Sequence, residues 1–227
     1  MRIKRVESTS CWPFKVPILI LGFYFLIVLP CTQFFFRTYP WLYKYADILF
    51  FSIVVIFALY KTNPAQLGFA TKYLNQHLVL GLITGGILLL SLPLLETGLE
   101  ITDLTDHELF GENPRKVSYD LNFLKEIAVI VVLIPLIEQI FFTGFILQSL
   151  LKKINPILAI YTGGLIYTLA GFKLSLGTFG LGICTSLLYK ISGTLYASIL
   201  FHMSCVLGGV LLENVYPRII IILGFLW

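Results

Sequence analysis

Two ionisable side chains stand inside apolar runs, where they are costly. Glu138 lies halfway along the run 124–151, and His202 lies halfway along 193–212. An Asp, Lys or Arg at the centre of a membrane helix costs about 2.5–3.5 kcal/mol on the insertion scale, and an ionised Glu should be comparable. Such residues are functional candidates by default. A glutamate facing a histidine at mid-membrane depth is a proton-transfer pair that could activate a water molecule. The plainer alternative is a buried latch in which each group satisfies the other. Gln139 follows Glu138, then come Thr143 and Gly144. Pro135 precedes the acid by less than one turn; it removes a backbone donor and frees a nearby carbonyl. A kink there would open a pocket or admit water, unless it is a harmless bend of the kind membrane helices tolerate. Asp47, at the edge of another apolar run, is expected to be interfacial. His77 and His107 are expected at the surface or interface.

The elements that must hold this pair are set by composition. The chain has 227 residues, 58% hydrophobic and only 12% charged. Its mean hydropathy is +0.90. A soluble domain carries about 25% charge. This composition excludes a soluble globular protein, a disordered chain and a nucleic-acid binder. It predicts an all-α, polytopic bundle of seven to eight transmembrane helices in contact with the lipid bilayer. The expected spans are 16–30, about 45–60, 77–95, 124–151, 157–172, 174–189 and 193–212, with a short apolar tail at 217–227. The first follows a basic cluster but ends in LPCTQ, without a small-x-small cleavage pattern, and reads as an uncleaved span.

With the N-terminus in the cytoplasm, the inner segments hold Arg2, Lys4, Arg5, Lys15, Lys61, Lys72, Lys152, Lys153 and Lys190. The outer ones hold Arg37, Lys44, Arg115, Lys116, Lys125, Lys173 and Arg218. The balance predicts an N-in protein of the cytoplasmic (plasma) membrane. The outer segment 96–123 is acidic and reads as a loop over one face of the bundle. Residues 1–123 read as N-terminal helices plus that loop, and 124–227 as the core, together one folded unit. Gly81 and Gly85 form a GxxxG, and glycines recur in the last three spans, where backbones can approach. Cys11, Cys31, Cys184 and Cys205 form no CxxC or Cys/His cluster, so neither metal nor disulfide is expected, and no cofactor.

The run from Glu138 to Gly144, EQIFFTG, resembles the first motif of the CPBP family, the CAAX-protease and bacteriocin-processing (Abi) glutamic intramembrane proteases. That motif reads Glu-Glu-x-x-x-Arg, commonly continued by Gly. Residues 163–172, GGLIYTLAGF, resemble the second motif, Phe-x-x-x-His. Residues 192–206, SGTLYASILFHMSCV, resemble the last, a Gly-(Ser/Thr)-Leu lead into His-x-x-x-Asn. Residues 63–69, NPAQLGF, are similar to the family's Leu-Gly-Leu entry before an apolar span. The resemblance implies catalytic roles for Glu138 and His202. It places Gln139 at the second glutamate and Thr143 at the arginine. It puts Tyr167 at the phenylalanine, Gly171 at the second histidine and Val206 at the asparagine; with Phe142 these line the expected pocket. The family's acid and histidines are held to activate water, and its asparagine to steady the oxyanion. An oxyanion donor is worth about 10²–10³ in rate, and a positioned acid or base about 10²–10⁴.

Three functions stay open on the sequence. One is a metal-independent intramembrane peptidase acting on a membrane-embedded protein or peptide. Another is a non-catalytic relative, a scaffold, chaperone or immunity-type binding protein. The third, a proton-coupled carrier, is disfavoured by the lack of internal repeats.

Overall fold

A computed structural model describes residues 12–101, 126–171, 175–215 and 219. The basic N-terminal cluster, Cys11, most of the acidic segment with His107, and nearly all of the tail 217–227 lie outside the described residues. The described chain is helical throughout and contains no strand. Its seven main helices are α1 (Lys15–Phe35), α2 (Pro40–Lys61), α3 (Leu74–Ile101), α4 (Glu126–Leu151), α5 (Pro156–Ala170), α6 (Leu176–Ser192) and α7 (Leu195–Asn214).

Four of them, α1, α3, α4 and α7, are long and apolar enough to cross a membrane unaided. The 15 residues of α5 reach about 22 Å at 1.5 Å per residue, short of a bilayer core of about 30 Å. The spans expected at 157–172 and 174–189 are therefore present as helices, but neither is long enough to cross upright. The third span runs farther than its hydropathy suggests. Helix α3 continues through Pro93 to Ile101, so Glu96 belongs to a helix rather than a loop. A membrane helix tolerates such a proline where neighbouring groups satisfy the freed backbone.

Local chemistry fixes the helix ends. Asn155 accepts the N–H of Ile157 through Oδ1 ahead of Pro156 at the first position of α5, and Ser175 caps α6 through the N–H of Thr178. Gly193, at φ +73°, ends α6 in the left-handed conformation that glycine adopts at least cost. Large aliphatic side chains such as Leu19, Leu26, Ile53, Ile56, Leu82, Ile87 and Leu94 are exposed. With no water-driven force between helices in lipid, such residues form the lipid-facing shell.

Packing follows the small residues. α3 lies along α7, and α6 packs on both α5 and α7. Gly81 has no room for a side chain: a Cβ there would come within 3.0 Å of Ala197 Cα and 2.9 Å of Leu200 Cβ. At Gly182 a Cβ would lie 2.8 Å from Gly164 Cα. These are close backbone approaches of the small-xxx-small kind. Helix α4 runs through the core, and every residue from Gln139 to Leu147 is buried. Two stretches of α4, Val129–Leu133 and Gln139–Leu147, have widened turns with i→i+5 bonding. They flank the Ile134–Glu138 turn that holds Pro135, where the missing N–H already breaks the regular ladder.

Candidate functional site

Apart from Val206, the residues singled out in the sequence come together from three helices. Helix α4 supplies Glu138, Gln139, Phe142 and Thr143, the end of α5 supplies Tyr167 and Gly171, and α7 supplies His202. Glu138 Oε2 lies 3.7 Å from His202 Nε2. That is too long for a hydrogen bond. The Tyr167 hydroxyl fills the gap: it donates to Glu138 Oε2 at 2.7 Å and lies 3.2 Å from His202 Nε2. On the far side of the imidazole, Gln139 Nε2 lies 3.0 Å from Nδ1. Thr143 in turn donates to Gln139 Oε1 at 2.7 Å. Five side chains thus form one unbranched chain of hydrogen bonds. All five carry polar groups that would be costly to bury unpaired. Gln139 and His202 are 1% and 2% exposed, whereas the Glu138 side chain keeps 22% of its surface.

That surface opens on a cavity of about 140 Å³ lined by Asp47, Phe51, Glu138, Phe142, Tyr167, Ala170, Gly171 and Thr178. The volume holds a few water molecules. Its aromatic wall is built by contact: Phe142 meets Tyr167 edge-on with centroids 5.0 Å apart, and Phe51 meets Phe142 edge-on at 5.1 Å. Tyr24 of α1, fully buried, donates to the carbonyl of Ala170 at 2.8 Å and so anchors the end of α5 beside the cavity.

Gly171 lines this cavity, and among the described residues a Cβ built on it would meet only the carbonyls of Thr168 at 3.8 Å and Tyr167 at 4.0 Å. The described residues leave room for a Cβ at the position of the family's second histidine, where this chain has none. Val206, expected to line the same pocket, does not: one turn beyond His202 on α7, it lies past the depth of the Glu138 cavity. It lines a larger apolar groove of about 490 Å³ with Leu88, Ile130, Leu181, Phe201 and Val210. Thr178 borders both spaces.

Two expectations are corrected. Asp47 is not an interfacial residue apart from the site, because α2 packs on α4 and turns it into the cavity with Glu138. Its signal in the sequence was a single carboxylate at the start of the apolar run 48–59, but nothing there showed that α2 would meet α4. His77 is fully buried rather than interfacial, with Nδ1 2.9 Å from the Thr194 hydroxyl. It joins the start of α3 to the start of α7. The segment 63–69 also has a defined task. Its short helical turn, Pro64–Leu67, ends at Gly68 with φ +107°. The Gly68 carbonyl accepts the N–H of Leu195 at 2.9 Å. A Cβ on Gly144 would sit 2.9 Å from the Leu67 carbonyl, so the glycine after the Glu138 motif lets this turn dock on α4.

No curated protein and no solved structure gives a significant match to the chain. Residues 120–208, less than half of the chain, match the family described as type II CAAX prenyl endopeptidase Rce1-like. The matched segment contains Glu138, Gln139, Phe142, Thr143, Tyr167, Gly171, His202 and Val206. The four long apolar helices place those residues in an integral membrane protein. The motif residues are gathered on α4, α5 and α7, and the segment that is similar to the Rce1-like peptidase family spans all three.

Proposed function

We propose that this protein is a non-catalytic CPBP relative that binds a membrane-embedded protein or peptide without cutting it. One observation carries the reading. The Tyr167 hydroxyl occupies the space between Glu138 and His202, bonded to the carboxylate and within reach of the imidazole. A water activated jointly by those two groups would need that space. Gly171 adds no second imidazole from the other wall of the cavity, and Val206 adds no amide donor for an oxyanion. A peptidase lacking a base and an oxyanion donor forfeits roughly 10⁴–10⁷ in rate if the two losses multiply.

We propose an N-terminus in the cytoplasm, a reading its Lys and Arg distribution supports, and the cytoplasmic membrane as its location. Crosslinking from a photoreactive residue at Phe142 tests the binding reading. The same partner, uncut, is expected with wild type, Glu138→Ala and His202→Ala. A partner captured intact only by Glu138→Ala, and found cleaved with wild type, contradicts it.

A second reading, an active glutamic intramembrane peptidase, is favoured by Asp47. This residue brings a second carboxyl to the cavity beside Glu138, where Gln139 has removed one from the motif. The cavity is large enough for water, and water held between two carboxyl groups is one arrangement for acid–base hydrolysis. Loss of cleavage in Asp47→Asn would mark this reading.

A further inference from the structure

The order of donors along the hydrogen-bond chain decides which nitrogen of His202 carries its hydrogen. The two ends of the chain agree on it. At one end the Tyr167 hydroxyl donates its single hydrogen to Glu138 Oε2, which in the ionised carboxylate only accepts. The Tyr167 oxygen, 3.2 Å from Nε2, is then available only as an acceptor, and Nε2 must be the N–H. At the other end the Thr143 hydroxyl donates to Gln139 Oε1, which turns the amide NH₂ toward His202. The NH₂ can only donate, so Nδ1 must be bare. Both ends give the same tautomer.

Turning the amide over would undo both. Its oxygen would face Nδ1 and require a hydrogen there, leaving Nε2 bare. Tyr167 would then have to swing its hydrogen from the carboxylate to the ring, and Thr143, buried on α4 beside the amide, would have to accept from the NH₂ instead of donating to the oxygen.

We infer that Gln139 is a positioning residue: held by Thr143, its amide fixes His202 as the Nε2–H tautomer. The nitrogen that faces Glu138 and the cavity side therefore donates and has no lone pair with which to take a proton from water. This rests on the non-catalytic reading and gives it a second cause beside Tyr167. The residue responsible stands where the first motif of the resembling family has its second glutamate. A glutamate there would accept a hydrogen from Nδ1 and leave Nε2 as the bare, proton-accepting nitrogen. One amide-for-carboxylate exchange thus converts the histidine from base to donor without moving it.

The test is nitrogen NMR on the full chain, labelled with ¹⁵N-histidine and reconstituted in lipid bilayers at neutral pH. His202 is assigned among the three histidines by the signals missing in His202→Asn. In wild type, Nδ1 is expected to show the shift of an unprotonated ring nitrogen and Nε2 that of an N–H. Gln139→Glu is expected to exchange the two. Thr143→Val, which frees the amide to turn over, is expected to give a mixture of both patterns and does not add a charge that could block folding. A wild-type ring with its hydrogen on Nδ1, or the same pattern in wild type and in every folded variant of the two, overturns the inference. A purely structural role for Gln139 would change stability but not this pattern. Cleavage by the wild-type protein would overturn the non-catalytic reading separately, and the spectrum would still decide the tautomer.

Discussion

In the proposed account Tyr167 sets how the Glu138 site behaves, through one oxygen atom that touches both Glu138 and His202. Tyr167→Phe keeps the ring against Phe142 and removes the hydroxyl that joins Glu138 to His202. Two buried polar atoms then lose their partner, and the protein is expected to lose about 1–3 kcal/mol of stability, read from thermal unfolding in detergent. An unchanged melting temperature would mean that water takes over both bonds. Gly171→His is expected to fold with little loss, within about 1 kcal/mol, because the cavity has room beside the Gly171 Cα. It is also expected to stay inactive alone, because Tyr167 still fills the space between acid and imidazole. Glu138 and His202 were legible in the sequence because ionisable groups in apolar runs stand out. Tyr167 could be placed on the second motif from sequence, but its hydroxyl's reach across to both residues needed the relative rotation of α5 and α7. Asp47 differs from its expected place for a similar reason: its position at the edge of the span is visible in the sequence, but its direction depends on how α2 packs.

Helix contacts in this protein depend on which glycines have neighbours. Gly182 faces Gly164, and Gly180, one residue removed from it on α6, would meet nothing within 4 Å of an added Cβ. Gly182→Ala is therefore expected to cost about 1–3 kcal/mol, the range for forcing extra volume into a packed contact. Gly180→Ala should be neutral or slightly stabilising, since alanine favours a helix by about 0.5–1 kcal/mol over glycine. Parallel unfolding curves of the two variants check the pair, and equal losses would place the α5–α6 contact elsewhere. The helices themselves follow the hydropathy closely at their centres. Their ends do not. Helix α3 reaches Ile101 past Pro93 and Glu96, because hydropathy ends where charge begins, whereas a helix continues as long as its backbone bonds can be made. The widened turns of α4 likewise leave no mark in residue type except Pro135 near their junction.

At the scale of the whole molecule, the N-terminal helices complete the core around the site. Tyr24 of α1 bonds the end of α5, and Phe51 of α2 lies 4.5 Å, centroid to centroid, from Phe141 of α4. We propose that segments 1–123 and 124–227 fold as one unit. Residues 124–227 expressed alone are expected to aggregate or be degraded, and to be rescued when 1–123 is supplied as a second chain; stable accumulation of 124–227 alone would show two independent parts. The all-helical membrane architecture was legible from composition because 58% apolar residues with 12% charge leave few alternatives. Whether that architecture still performs hydrolysis is set by a few polar atoms that composition does not register. The most direct test is a terminal-peptide comparison of host membranes containing wild type, no protein, Glu138→Ala or His202→Ala, with folding of each variant verified. The non-catalytic account predicts the same set of protein termini in all four. Termini present with wild type and absent from the deletion and from both variants would contradict it and establish a working intramembrane peptidase.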